Sequence, residues 1–159
     1  MEEFMEWYEA IYPQMYRVAY YYMRNQHEAE DAVQDAVLTA YEKRYQLKDK
    51  EKFRSWMMTI LVNRCKTRMK KWFQKNENVE EVSAAEERQL GREEDFATNA
   101  VVKQVFFQLE EEERLIVGLS IFGGYKGEEI AKMLGKNHST VRSKYRRALQ
   151  KMKKELEVE

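Results

Sequence analysis

Between Lys136 and Lys154 the chain carries eight lysines and arginines and no carboxylate, and between Arg64 and Lys75 it carries six and none. Runs of this kind neutralise phosphates. An arginine also offers a paired donor to guanine, and serine or threonine bonds either type of base. Thr140, Arg142, Ser143 and Arg146 are therefore candidate base readers, with Lys136, Lys144, Arg147 and Lys151 as candidate phosphate contacts. The competing account of the same run is a solvated helix face. Asp31, Gln34, Asp35 and Leu38 recur at spacings of three and four, a ridge of acceptors with one apolar member that fits either a protein partner or an ordinary wet face. Trp72-Phe73 beside Lys70 and Lys71 is either the last packed turn of a helix or a platform on which unpaired bases stack. His27 and Asp31 share a helix face, but no second histidine or cysteine stands nearby, so no metal site is expected. Cys65 reads as a small helical residue. No phosphate loop, nucleophile elbow or acid pair with a partner base occurs, and the chain is expected to work without a cofactor or catalytic residues.

The elements that position these groups are helices. Ala29, Ala32, Val33, Ala36, Val37, Ala40 and Tyr41 form one stripe of a helix from about 27 to 45 that turns the acidic ridge outward. A helix from about 51 to 73 buries Phe53, Trp56, Met57, Ile60 and Leu61 and then turns basic. The first helix, about 3 to 23, is expected to break near Tyr12, because Pro13 lacks an amide hydrogen. Tyr20-Tyr21-Tyr22 reads as core with an amphipathic rim. In the second half, a helix over about 96 to 108 precedes one over 110 to 122 that ends at Gly123-Gly124. A short helix over 127 to 134, a turn through Gly135 to His138 and a last helix opening near Ser139 make a helix-turn-helix. The expected inner stripe of that last helix is Val141, Tyr145, Ala148, Leu149, Met152 and Leu156.

Composition agrees with an all-α fold: the chain has 159 residues with only six Gly and one Pro, 43% apolar and 35% charged. Net charge is zero, yet Glu77 to Asp95 holds eight acidic residues against two arginines, which reads as a linker between two small modules. The expected boundaries are 1–73, 74–95 and 96–159, with a helical turn or two allowed around 84–90. No apolar run approaches the roughly 18 to 20 residues of a membrane span, and the start lacks the order of a signal peptide, so a cytoplasmic protein is expected.

With both halves read, the chain resembles the extracytoplasmic-function group of bacterial RNA polymerase sigma factors, which keep only region 2 and region 4. Ala29-Glu-Asp-Ala-Val-Gln-Asp-Ala-Val-Leu-Thr-Ala-Tyr41, Phe53-Arg-Ser-Trp56 and Ile60-Leu-Val-Asn63 are similar to region 2. Leu109-Glu-Glu-Glu-Glu-Arg114, Glu129-Ile-Ala131 and Thr140-Val-Arg-Ser-Lys-Tyr-Arg-Arg-Ala148 are similar to region 4. The resemblance implies that Asp31, Gln34, Asp35 and Leu38 dock on the clamp helices of core polymerase. It implies that the loop 46–52 and the helix after it, through Lys52, Trp56, Asn63, Arg64, Lys66, Arg68, Lys70 and Lys71, hold the melted −10 strand. The last helix, through Ser139, Thr140 and the cations named above, then reads the −35 duplex. It also implies an anti-sigma partner, often membrane-bound. Two positions depart from the family's habit: Thr67 stands where Asp is frequent, blurring the −10 contacts, and Ser139 stands where Gly is frequent, which offers an N-cap.

The expected function is thus a sigma factor that binds core polymerase, recognises −35 and −10 elements and helps melt DNA. The alternative is a helix-turn-helix regulator that binds DNA without replacing a sigma subunit. A helical adaptor and an acid-dependent nuclease are further rivals, the last needing metal-dependent cleavage.

Overall fold

The computed structural model describes residues 2–75 and 96–157, and every regular element among them is helical. Three helices make the first module: α1 (Glu2–Met23), α2 (Gln26–Glu42) and α3 (Phe53–Lys75), with 3-10 turns at Arg44–Gln46 and Lys50–Lys52 between the last two. Four make the second: α4 (Phe96–Phe107), α5 (Glu111–Ile121), α6 (Gly127–Leu134) and α7 (His138–Glu157). The expected linker lies, from residue 76 on, outside the described residues, and so does the helical turn allowed around 84–90. No helix among the described residues is long and apolar enough to cross a membrane.

Pro13 corrects one expectation, since α1 runs through it unbroken. The missing amide bond would have gone to Glu9, and both residues are exposed, so the freed carbonyl is on the solvent side rather than buried without a partner. Ile11, Met15 and Tyr16 on the other side remain buried and keep the helix in line. The tyrosine triplet, expected to include a rim, is wholly core, with Tyr20, Tyr21 and Tyr22 at 0, 2 and 1% exposure.

Between α1 and α2 the chain turns sharply through Arg24, whose φ of 58° is left-handed. Asn25 follows in extended backbone and caps α2, its Oδ1 accepting the Glu28 amide at 2.9 Å. That cap starts α2 one residue sooner than the apolar stripe alone indicates. α2 also ends sooner, at Glu42, because the next residues tighten into a 3-10 turn.

The helix-turn-helix closes at Gly135, left-handed at φ 64°. Gly135 N–H donates to the Lys132 carbonyl and Lys136 N–H to that of Ala131, the paired bonds of a Schellman ending. The turn holds α7 against the rest of the module through Val141, Ala148 and Met152, all buried. Leu149 and Leu156, expected inside, are 37 and 41% exposed. Ala148 occupies the inward place and Leu149 stands about 100° further round the helix, while Leu156 belongs to its last turn. Ser139 is the second residue of α7 and so does not cap it.

The two modules share one apolar core. Tyr21 of α1 meets Phe122 and Phe106 with ring centroids 4.7 and 4.9 Å away. Around these rings the helix ends cap one another across the seam. Arg114 of α5, 4% exposed, donates Nε and Nη2 to the Tyr22 carbonyl at 3.0 and 2.9 Å, and Nη1 to the Leu109 carbonyl at 2.8 Å. In return Arg24 donates to the carbonyl of Phe107, the last residue of α4, at 3.2 Å. Each guanidinium thus sits at the negative end of the other module's helix and serves a carbonyl there. Burial, followed by the nearby charge of Arg24, pushes Arg114 down to about 10, still protonated at neutral pH. Burial and the hydrogen bond that the Tyr22 hydroxyl donates to Glu111 hold that phenol well above its usual range. Farther along the seam, Arg54 of α3 donates to the Gly123 carbonyl at 2.9 Å. A Cβ on Gly123 would meet Tyr125 ring carbons at 2.6 Å, so only glycine lets the chain pass there.

Candidate polymerase and promoter interfaces

α2 turns its alanine stripe inward, with Ala29, Ala32, Ala36 and Ala40 at 0% exposure, and this geometry sets the acidic ridge on the outside. Gln34 is exposed and Leu38 is 63% exposed, a large apolar side chain left in water. Asp31 and Asp35 are half-exposed, but they are not free. Arg68 reaches over from α3, its Nη1 bonding Asp35 Oδ2 at 2.7 Å and its Nη2 bonding Asp31 Oδ2 at 3.2 Å. Its Nε lies 3.4 Å from Glu28 Oε1 without a hydrogen bond. Arg68, expected on the −10 strand, is thereby engaged with the ridge in the free chain, an arrangement that no local pattern foretells because the partners are 33 and 37 residues apart.

The remaining cations of α3 divide by helical position. Two clefts flank Trp56, Ile60 and Gln46, which line both. One, of about 290 Å³, is lined further by Thr39, Lys43, Asn63, Arg64 and Thr67. The other, of about 520 Å³, is lined by Leu47, Lys48, Asp49, Lys52 and Ser55 among others. Trp56 thus stands between Lys52 in one cleft and Asn63 and Arg64 in the other. Arg64 also borders a smaller cleft of about 240 Å³ with Lys71, Trp72 and the Arg68 clamp. Lys66 and Lys70 are not with them. They face the second module across a groove of about 670 Å³ that Met69, Phe73 and Leu115 line together with Glu111 and Glu112. Thr67 spends its hydroxyl on the Asn63 carbonyl at 2.9 Å, within the helix. Trp72 is half-buried against Phe73, which is 41% exposed. Burial pushes the Cys65 thiol up to about 12, so it carries no thiolate at neutral pH.

On α7 the arginines point outward, Lys144 and Lys151 fold back, and Lys153 and Lys154 stay exposed. Arg142, Ser143, Arg146, Arg147 and Ser139 are exposed and Thr140 is half-buried. Lys136 and Lys144 both reach Glu112 Oε1, at 2.8 and 3.0 Å, and Lys151 holds Glu113 through both carboxylate oxygens. These three lysines, expected on phosphates, are occupied within the module. Glu112 and Glu113 open α5, where carboxylates also suit the helix N-terminus. Burial acts to raise the Glu112 carboxyl, but the hydrogen bonds from Lys136 and Lys144 outweigh it and hold the group below its usual range.

An outward carboxylate ridge, clefts around a tryptophan and an arginine-bearing helix-turn-helix now stand on one chain. Residues 7–73 match the family model for Sigma-70 region 2, and residues 104–152 match that for Sigma-70 region 4. The sigma factor SigV of Bacillus subtilis is 30% identical over 89% of this chain and 83% of its own length. The chain belongs to the sigma-70 family, in its extracytoplasmic-function group. It is an RNA polymerase sigma factor. A second relative is the extracytoplasmic-function sigma factor SigM of Mycobacterium tuberculosis, 29% identical over 85% of this chain and 67% of that one. Among solved structures, the sigma factor RpoE of Bartonella quintana, in complex with the anti-sigma factor NepR, has a TM-score of 0.81. It is 19% identical and covers 100% of this chain and 99% of its own. CnrH, solved with the cytosolic domain of CnrY, has a TM-score of 0.70 at 18% identity and covers 98% of this sigma factor and 88% of its own chain. At these identities the two structures establish a shared fold.

Proposed function

We infer that this sigma factor divides its work among the three surfaces just described. Asp31, Gln34, Asp35 and Leu38 dock on core RNA polymerase, the carboxylates meeting cations and Leu38 an apolar contact. The clefts beside Trp56 receive bases of the melted −10 strand, with Asn63 at the edge and Lys52, Arg64 and Lys71 on its phosphates. Arg142 and Arg146, with Ser139, Thr140 and Ser143, read the −35 duplex in the major groove, and Arg147 contacts a phosphate. The chain contributes position and charge, not catalysis, and works in the cytoplasm under the control of an anti-sigma protein.

The observation that carries this reading is the separation of surfaces. Acceptors are gathered on α2, the tryptophan clefts lie at the α2–α3 corner, and α7 sets Arg142, Arg146 and Arg147 on its exposed face. A regulator that binds duplex DNA alone has no use for the first two. Run-off transcription with purified core polymerase tests the reading. A promoter-specific transcript that depends on this chain is expected; a palindromic footprint by the chain alone, with no transcript from any genomic template, overturns it.

A further inference from the structure

We propose that Arg68 is an internal competitor for the polymerase: it occupies Asp31 and Asp35 in the free chain and must be displaced when the cations of the polymerase surface take those carboxylates. The inference rests on the reading of α2 as the docking ridge.

Three features of the clamp support it. First, its stoichiometry is uneven, because one guanidinium faces three carboxylates on one side of α2, at Glu28, Asp31 and Asp35. The ridge keeps an excess of negative charge for a cationic partner, reduced by one charge while Arg68 is seated. Second, the grip is partial. The Nε–Glu28 approach is Coulombic only, and the two hydrogen bonds go to side chains 53 and 45% exposed, a setting in which ion pairs hold weakly and exchange partners. Third, the carboxylates that Arg68 uses belong to the residues that face outward with Gln34 and Leu38, so a docked cationic surface and Arg68 compete for the same two negative charges. The other charged groups facing the clamp are Arg64 and Lys71, which line the adjoining cleft. They offer the released guanidinium no carboxylate, so nothing on α3 recaptures it.

Competition has a sign that a structural role does not. A residue that merely braces α3 on α2 weakens docking when removed, because the ridge loses order. A competitor strengthens docking when removed. In the full-length chain, Arg68→Gln keeps a long polar side chain and deletes the charge. Titrated with core polymerase at several salt concentrations, it is expected to bind about 3- to 10-fold more tightly than the parent, with a steeper salt dependence. Arg68→Lys, a point charge that satisfies one carboxylate at a time, should fall between the two. The gain should shrink in an Asp35→Asn background, where one contested acceptor is already gone. Equal or weaker binding by Arg68→Gln, in protein with unchanged far-UV circular dichroism, overturns the proposal. Charge reversal at Asp31 and Asp35 separates the two levels. If it leaves docking intact the ridge reading itself fails, whereas if it abolishes docking and Arg68→Gln brings no gain, only the competition is wrong.

Discussion

α3 and α7 both look like cationic rods in sequence, and they use their cations in opposite ways. On α7 the lysines at 144 and 151 turn back to α5, together with Lys136 of the turn, and the arginines at 142, 146 and 147 face solvent. On α3 an arginine is the engaged member, and lysines at 70 and 71 stay outside. The helix proposed for duplex DNA thus presents the side chain that forms paired bonds to a guanine edge. The helix proposed for an unpaired strand presents mostly point charges beside a tryptophan. Counting charges in a run therefore overstates the phosphate contacts it makes. Six phosphate contacts on the last helix correspond to a log-log salt slope of about −5, and each lysine that stays held within the module makes that slope shallower by about 1.

The contrast can be broken most severely at the partner of the engaged arginine. Reversing charge at Asp31 and Asp35 together is expected to lower affinity for core polymerase at least about 100-fold in a pull-down or titration, with the far-UV spectrum unchanged. Next in size is the limiting case of an inward arginine. Arg114→Met leaves the Tyr22 and Leu109 carbonyls without their donor and should lower unfolding stability by about 2–4 kcal/mol in thermal or urea denaturation. The outward arginines come third: Arg142→Ala or Arg146→Ala should weaken discrimination of the −35 duplex by about 1–3 kcal/mol per lost paired contact and spare core binding. Lys144→Ala, by contrast, should leave base discrimination unchanged. The smallest effect follows from Glu112, whose folded pKa lies below the ordinary value. Its contribution to stability is full above that ordinary value, near 4.5, and is lost as pH falls through the lower folded one. Glu112→Gln should flatten the acid limb of a pH–stability profile by less than about 1 kcal/mol, since the pairs are partly exposed.

Much of this was legible in the sequence. Periods of three and four fixed the alanine stripe of α2 and hence the outward ridge, and Gly135 announced the turn before α7 because a left-handed ending favours glycine. What the sequence does not show has a physical reason. Arg68, Lys144 and Lys151 bond carboxylates 32 to 38 residues away, and Arg114 bonds the Tyr22 carbonyl 92 residues away, so their engagement is a property of packing and not of any local pattern. Lys66 and Lys70 stand close to Arg64 in the chain, but helical rotation sets them on a different side. Pro13 misled for a related reason: its lost bond faces water, and only burial could reveal that. Leu149 followed the right period one position off, where alanine fills the inner place.

The crossed arginine caps at the seam carry a consequence for the life of the free molecule. A chain of this length packed as one body has a radius of gyration of about 15 Å, while the two promoter elements stand roughly two helical turns apart, about 70 Å. To straddle them the seam must unzip, and unzipping bares Tyr21, Phe106 and Phe122 while stripping two helix ends of their donors. A molecule caught half-way is greasy and under-bonded, so conditions that part the modules without polymerase should drive the protein to self-associate. On the proposed reading the transcription enzyme would then do more than receive this subunit: it would shelter the apolar faces that the parted modules expose.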